Sequence, residues 1–183
     1  MRLPVVPVKL PPDLRGVENG KVPRRLLKPI EPSGRLHHWA AESWAMLREK
    51  AAEEKLVLAQ VGDYRPLEQQ IALFKSRMRP FPDAKREKQV TRRWNGEVWY
   101  LHTGAPVATP GTSNHGLGLA IDAALMLKNG TVVSITATPP RARRSGLAFL
   151  AEWAPRLGWS WEIPNVEPWH IRYVTGQPPK VIE

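Results

Sequence analysis

Two motifs that lie far apart along the chain constrain the possible folds of this sequence more than any other feature. The first reads SNHGLGLAID and ends at Asp122, and the second reads EPWH and ends at His170. Together His115, Asp122 and His170 can occupy three corners of a zinc tetrahedron and leave the fourth corner for water. Glu167 can then serve as the base that deprotonates this water. A fold that builds this site has to bring the two motifs together.

These donors indicate a catalytic rather than a structural metal site. Structural zinc sites are usually closed by four cysteine or histidine ligands, whereas a catalytic site keeps one position open. The 183 residues include no cysteine, which excludes disulfides and thiolate chemistry. The sequence therefore predicts one zinc ion per chain and a zinc-dependent hydrolase.

Length and composition are those of an ordinary ordered protein. A chain of 183 residues, 42% hydrophobic and 24% charged, suits a single domain with a sizeable core. No stretch approaches the roughly 20 apolar residues of a membrane span. The N-terminal segment MRLPVVPVKLPPDLRG is interrupted by prolines and forms no signal-peptide core. We therefore expect a protein that is made in the cytoplasm, without a leader and without a membrane span.

The chain divides into two segments of different pattern. Residues 1–33 are rich in proline and basic residues, show no sustained period and carry a turn signal at 18–20. We expect an extended arm that lies over the domain. Residues 34–183 show regular hydrophobic periods and are predicted to form the catalytic domain, and neither segment contains an internal repeat.

The periodicity predicts an α+β fold, in which helices pack against a small, mostly antiparallel sheet. Helices are predicted over about 33–55, 66–76 and 141–154. Ser33 is the expected N-cap of the first helix, and Pro66 lies in the first turn of the second. In the third helix, Leu147, Leu150 and Trp153 are expected to face the core. Predicted strands span 56–61, 119–126, 131–135, 158–162 and 169–174. Residues 79–111 interrupt these elements, and Asn95-Gly96 within them predicts a type I′ hairpin across 92–100.

The alternation of side chains along a strand predicts where the ligands point. Asp122 lies an odd number of residues from His115, so a continuous strand would point the two apart. Gly116 and Gly118 relax this constraint, because a turn or bulge at glycine can bring His115 back to the same side.

The second motif is expected to leave helical geometry at Glu167, because the next residue is Pro168. Trp169 and Ile171 are then predicted to pack on the core while His170 faces the cleft.

Three groups fall outside the motifs. His102 is predicted to be a loop residue, and the pair His37-His38, placed in the first helix, is predicted to lie on the surface. The tryptophans Trp94 and Trp99 could form an exposed shelf for sugar or peptide, or pack against each other across the hairpin.

A third block, YRPLEQQ at residues 64–70, makes the pattern specific. A Y-R-x-x-x-x-Q block followed by S-x-H-x-x-G-x-A-x-D and E-x-W-H resembles the VanY-type D-alanyl-D-alanine carboxypeptidase family of zinc peptidases, which also includes phage-encoded L-alanyl-D-glutamate endopeptidases. The resemblance covers about residues 34–175 and keeps the order of the blocks. The sequence departs from the family at Asp63, where glycine is frequent, and at Pro66, where a small polar residue is frequent. Both flank Arg65 and bear on substrate preference.

The resemblance implies an α+β fold of the hedgehog/DD-peptidase type and a role for seven residues. Zinc is expected on His115, Asp122 and His170, with Glu167 as general base and acid, Arg65 facing the site, and Gln70 and Ser113 holding the substrate peptide. On physical grounds the guanidinium of Arg65 suits two tasks: stabilising the oxyanion of a tetrahedral intermediate, or clamping a substrate carboxylate. We favour the oxyanion role.

The activity that this resemblance implies is hydrolysis of peptide stems in bacterial peptidoglycan. Release of the terminal D-alanine is the first choice, and an endopeptidase that cuts L-Ala-D-Glu or a cross-link is the alternative. A non-catalytic wall-binding module with a vestigial zinc site is the alternative from another class. The missing leader suggests a phage origin, either as an endolysin or as part of a virion assembly.

The net charge of +10 calls for a polyanionic partner or surface. Nucleic acid is not expected, because the sequence has no helix-turn-helix, zinc-finger or RNP pattern. Anionic cell-wall polymers would attract the same charge, and the charge could also serve solubility alone.

Overall fold

The two ligand motifs lead into neighbouring strands of one antiparallel sheet. The structure is a computed structural model that describes residues 3–85 and 89–180. Its α-helices are α1 (His38–Glu53), α2 (Leu67–Arg77) and α3 (Gly146–Trp153). Its strands are β1 (Leu27–Pro29), β2 (Arg35–His37), β3 (Leu58–Gly62), β4 (Met78–Arg79), β5 (Thr91–Trp94), β6 (Glu97–Leu101), β7 (Ala120–Met126), β8 (Val132–Ser134), β9 (Trp159–Trp161) and β10 (His170–Tyr173). None of the helices in these ranges is long and apolar enough to cross a membrane.

The main sheet has the strand order β3-β7-β10-β9, with β8 pairing to β7, and its pairings are antiparallel. The register between β7 and β10 places His170 opposite Asp122. On the other side of β7, Gly62 also lies opposite Asp122, after a register shift that follows Gln60. Strand pairing therefore brings the two distant motifs together, and the predicted α+β class is confirmed.

One large cluster of buried side chains joins α1, α3 and the main sheet. Its largest fully buried members are Trp44, Phe149, Trp159, Trp161 and Tyr173. Buried aromatic side chains of this size contribute strongly to the stability of a core. Asp122 and His170 therefore lie on strands that a closely packed core fixes from behind.

The segment before residue 33 contributes to the same core. Leu14 and Leu27 are buried in it, and near the N-terminus Val5 forms a parallel bridge with Trp161. A turn occupies Asn19 and Gly20, as the sequence predicted. The division of the chain into an arm and a domain at residue 33 stays a prediction.

Residues 79–111, which we call the insertion, carry most of a small separate sheet with the strand order β4-β6-β5. The predicted hairpin is confirmed: Asn95 and Gly96 both have positive φ, at 50° and 80°, as a type I′ turn requires. The rings of Trp94 and Trp99 lie 5.4 Å apart, and both contact the buried Phe74. Of the two interpretations of these tryptophans, packing against each other across the hairpin is the one observed.

Two helices begin later than the sequence predicted. α1 begins at His38 rather than at Ser33, because residues 35–37 pair with β1 and this pairing overrides the helical period. α3 begins at Gly146 rather than near residue 141, and the hydroxyl of Ser145 caps it by accepting a hydrogen bond from the Ala148 N–H.

The later start of α3 changes which residues face the core. Leu150 is buried as predicted, but its buried companions are Gly146 and Phe149, which share a helix face at three- and four-residue steps. Leu147 and Trp153, predicted to face inward, are half-buried. The second helix and the five predicted strands of the main sheet are present within a few residues of their predicted bounds.

Candidate metal centre

Three potential ligands, His115, Asp122 and His170, meet at the open face of the main sheet, and we call them the cleft cluster. Each offers a ligand atom within 4.8 Å of the others. Nε2 of His115 lies 3.4 Å from Oδ2 of Asp122, and Nδ1 of His170 lies 2.9 Å from Oδ1. The structure thus places all three predicted ligands in one site.

A tight 3₁₀ turn over Asn114–Leu117 delivers His115 to this site. The hydroxyl of Ser113 caps the turn by accepting a hydrogen bond from the His115 N–H at 3.3 Å. Gly118 ends the turn with a φ of +67°, and a Cβ there would lie 2.7 Å from the backbone nitrogen of His37. A turn at glycine therefore reorients His115, as the spacing predicted, and only glycine fits at its end.

Gly62 makes room for the aspartate. A Cβ at this position would lie 2.3 Å from Oδ2 of Asp122, which is far inside van der Waals contact. Because Gly62 lies opposite Asp122 across the strand pair, its missing side chain leaves the carboxylate free to turn toward the histidines.

The protonation of His115 is set by the backbone. Its Nδ1 lies 2.9 Å from the carbonyl oxygen of Asp63, and a carbonyl can only accept, so Nδ1–H donates. In the neutral ring Nε2 is then the unprotonated nitrogen, 3.4 Å from Oδ2 of Asp122 and available to bind a metal. A carbonyl that fixes the tautomer in this way is the usual companion of a metal-bound histidine.

Asp122 is held as a carboxylate. Burial would raise the pKa of its side chain, but the contacts with His115 and His170 lower it by more and hold it well below its ordinary value. Two imidazole nitrogens and one ionised carboxylate are donors that suit zinc. The residues present therefore fit the metal that the sequence predicted.

The second motif forms a turn that ends at the sheet. The Glu167 carbonyl accepts a hydrogen bond from the His170 N–H at 3.1 Å, and the half-buried side chain of Glu167 lines a cleft of about 360 Å³ that contains the cleft cluster. Ile171 is fully buried, as predicted. Trp169 is not: it is 38% exposed and lines the cleft, because β10 begins only at His170 and strand alternation does not reach back to it.

Arg65 also faces the cleft, and it is held from two sides. Its backbone N–H donates to the His115 carbonyl at 3.0 Å, and Nη1 donates to Oε1 of Gln70 at 3.0 Å. Burial lowers the pKa of the guanidinium, whereas the charge of Asp122 opposes that shift. The guanidinium stays charged in any case, since an arginine side chain is not deprotonated in proteins.

Gln70 and Ser113 carry out structural tasks in addition to their predicted contact with substrate. Gln70 is only 2% exposed, and its Nε2 donates to the carbonyl of Ala108 at 2.9 Å, so the side chain links Arg65 to the insertion. The Ser113 carbonyl accepts from Asn19 at 2.8 Å. Both residues line the cleft, and direct binding of substrate by them stays a prediction.

Sequence reasoning missed several residues of the site. Glu162 lies 3.7 Å from Nε2 of His170, and Arg77 and Arg92 line the cleft. The carbonyl of Asp63 orients His115. No local pattern marks these residues, because their contacts cross strands or involve only the backbone. His102 lies in a loop, as predicted, and its ring contacts the Phe81 carbonyl.

A second group of the same composition, Asp13, His37 and His38, lies where a 3₁₀ turn over Pro12–Leu14 meets the start of α1; we call it the N-terminal cluster. The Asp13 carboxylate contacts Nε2 of His37 at 3.1 Å and Nε2 of His38 at 2.7 Å. His37 is fully buried, so its predicted surface position is wrong. The reason is that residues 35–37 form strand β2 under the N-terminal segment instead of opening the helix.

Comparison with known proteins agrees with this geometry. A family model described as VanY, D-alanyl-D-alanine carboxypeptidase, matches residues 33–176, the range of the resemblance seen in the sequence. No curated protein matches the chain significantly.

Three solved structures are similar over most of the chain. One is the vancomycin resistance D,D-pentapeptidase VanY from a VanB-type resistance cassette, a glutamate-to-alanine mutant in complex with Zn(II), with 20% identity over 84% of this chain and 82% of that one and a TM-score of 0.53. VanYB in complex with D-alanine-D-alanine has 19% identity over 81% and 76%, with a TM-score of 0.51. The LD-carboxypeptidase LdcB has 19% identity over 86% and 72%, with a TM-score of 0.53. At such identities the likeness concerns the fold, and the predicted DD-peptidase-like fold is confirmed.

Proposed function

The chain belongs to the VanY family of D-alanyl-D-alanine carboxypeptidases, and from this premise we propose that it is a zinc-dependent carboxypeptidase that releases the terminal D-alanine of peptidoglycan stem peptides. The observation that carries the proposal is the meeting of the cleft cluster, Glu167 and Arg65 in one open cleft. The similar VanY structures hold Zn(II) or D-alanine-D-alanine, which supports the metal and the substrate class.

His115, Asp122 and His170 would hold the metal. When bound, zinc supplies a Lewis acid that lowers the pKa of water and polarises the scissile carbonyl. Glu167 lines the same cleft without being one of the ligands, so its carboxylate is available to accept the proton of the attacking water and to pass it to the departing amine of D-alanine.

Arg65 stabilises the negative charge that develops on the scissile carbonyl oxygen. Its guanidinium is fixed by Gln70, and its backbone is tied to the carbonyl of the ligand His115, so it is positioned before the substrate arrives. A preorganised charge of this kind acts on the transition state without reorganisation, and in a partly buried site it acts more strongly than in water.

The proposal is tested by digesting a synthetic stem pentapeptide that ends in D-Ala-D-Ala with zinc-loaded protein and identifying the products by mass spectrometry. We expect a tetrapeptide and free D-alanine, and far less of both products with Glu167→Gln under the same conditions. A cut between L-Ala and D-Glu, or within a cross-linked dimer, would replace this proposal by an endopeptidase. An intact pentapeptide that still binds the protein would favour a wall-binding module.

A further inference from the structure

Three arginines line the cleft, and two of them have no role in the reaction described above. Arg65 lies beside the ligands, whereas Arg77 ends α2 and Arg92 lies on β5 of the insertion. Within residues 3–85 and 89–180, no acidic side chain forms an ion pair with Arg77 or Arg92. Two half-buried cations without an anionic partner, in a cleft that receives a substrate, indicate a site for an anion.

The two guanidiniums are held by one loop. Nη1 of Arg77 donates to the Ala105 carbonyl at 3.2 Å, and Nε of Arg92 donates to the Val107 carbonyl at 3.2 Å. Gly104 packs over Arg77 with a φ of +69°, and a Cβ there would lie 3.3 Å from Nε of Arg77. Each guanidinium has five N–H donors and spends only a few of them on carbonyls, so several remain for a ligand in the cleft.

The position of this pair separates it from the reacting bond. Arg65 precedes the first turn of α2 and Arg77 ends the helix, which has 11 residues, so their backbones lie roughly 15 Å apart at about 1.5 Å per residue. A terminal carboxylate lies only one residue from the scissile carbonyl, about 3.5 Å of extended chain. Arg77, at the far end of α2, is therefore placed for a carboxylate several residues away, and Arg92 is tied to the same loop as Arg77.

We propose that Arg77 and Arg92 form a subsite for a second, internal carboxylate of the stem peptide. This inference rests on the proposed function for the identity of the substrate. A stem that is linked through the side-chain carboxyl of D-glutamate keeps its α-carboxylate free, several bonds before the terminal residues, and planar guanidiniums are suited to hold it. The enzyme therefore selects stems that carry this charge over stems in which it is amidated.

The test compares three pentapeptides: one with both carboxylates free, one with the D-glutamate carboxylate amidated, and one with the C-terminal carboxylate amidated. Proteins are the wild type, the double variant Arg77→Gln/Arg92→Gln and the control Arg93→Gln. Glutamine keeps an N–H for the loop carbonyls but removes the charge. Arg93 is the matched control, since it follows Arg92 on β5 but is exposed and does not line the cleft.

We expect wild type and Arg93→Gln to prefer the free internal carboxylate by about tenfold or more in kcat/KM. The double variant should lose this preference. Equal cleavage of the free and the internally amidated peptide by wild type would overturn the subsite. A double variant that loses the same fraction of its activity on both of these peptides would also overturn it. So would a double variant that loses only its sensitivity to C-terminal amidation, because the arginines would then clamp the terminal carboxylate.

Binding separates this inference from the proposed function. Calorimetric titration of the same peptides into the Glu167→Gln protein, with and without the two arginine changes, needs no turnover. Preferential binding of the free internal carboxylate that disappears in the arginine variant supports the subsite even if no D-alanine is released. Equal affinity for the free and internally amidated peptides contradicts it, whatever the activity.

Discussion

Two groups of two histidines and one aspartate lie in the described part of this chain, and their surroundings differ. In the cleft cluster, His115 donates from Nδ1 to a backbone carbonyl, which leaves its Nε2 free to bind a metal. In the N-terminal cluster, Nε2 of both histidines contacts the Asp13 carboxylate, and the buried Nδ1 of His37 has no hydrogen-bond partner. A metal on Nε2 of His37 would leave an N–H at that Nδ1 without an acceptor, which is costly in a buried site.

The identity of the donor residues does not by itself make a metal site. The cleft cluster combines a fixed tautomer, an ionised aspartate and an open cleft that also contains Glu167 and Arg65. The N-terminal cluster does not line this cleft and joins the N-terminal segment to the start of α1. We therefore infer catalysis at the first and a structural role at the second.

The largest effect is expected at Glu167, which has no counterpart near the N-terminal cluster. Glu167→Gln should keep the metal and lower kcat by about 10²–10⁴, because it removes the proton acceptor without touching a ligand. Steady-state release of D-alanine measures the effect, and Asp13→Asn, a carboxylate-to-amide change at the other cluster, serves as control and should leave kcat unchanged. Retention of more than about a tenth of the wild-type rate by Glu167→Gln would show that another group is the base.

The second effect separates the two tasks of Arg65. As an oxyanion stabiliser, Arg65→Ala should lower kcat by about 10²–10³ with KM little changed. Arg65→Lys keeps the charge but loses the planar fork and should recover only part of the rate. The kinetics are measured on a D-Ala-D-Ala peptide and on its C-terminal amide. An unchanged kcat with a steep rise in KM for the free carboxylate alone would assign Arg65 to carboxylate binding instead.

A smaller effect, on stability alone, is expected at Asp13. Asp13→Ala leaves the N–H groups of two histidines without their acceptor and should lower the free energy of unfolding by roughly 1–3 kcal/mol. Urea denaturation measures this loss, and the zinc content should stay that of the wild type. If the variant lost zinc while remaining folded, the N-terminal cluster would not be merely structural.

The smallest effect is a dependence of stability on pH. Burial lowers the pKa of His37 in the folded chain below its value of about 6.5 in the unfolded chain, and the nearby Asp13 only partly opposes this. The folded state thus favours neutral His37, so the stability it contributes is present above about pH 6.5 and is lost as the pH falls below that value. Between pH 7 and 5, His37→Gln should show a shallower fall in the free energy of unfolding than wild type. Equal slopes would show that His37 does not titrate in this range.

The ligands and the main strands were predictable because their signals are local. Period-two patterns marked β7 and β10, and the two short motifs that end at Asp122 and His170 marked the candidate metal ligands. Asn95-Gly96 marked its hairpin for the same reason, since a type I′ turn needs positive φ at both residues.

Features that depend on distant contacts were not predictable. The pairing of β1 with β2 moves the start of α1 and buries His37. No pattern in residues 33–38 indicates that β1 pairs there. Arg77 and Arg92 enter the cleft because of how the insertion folds back on α2. Cytoplasmic synthesis, a phage origin and attraction to anionic wall polymers stay predictions.

Metal content, measured by mass spectrometry in proteins purified without chelator, tests the central claim most directly. Wild type should contain close to one zinc ion per chain, and the substitutions His115→Ala, Asp122→Ala and His170→Ala should each bring the content near zero while the fold remains. The matched double variant His37→Ala/His38→Ala, if folded, should still contain close to one. Zinc that stayed after loss of His115, or left after loss of His37 and His38, would place the metal in the other cluster and contradict this account.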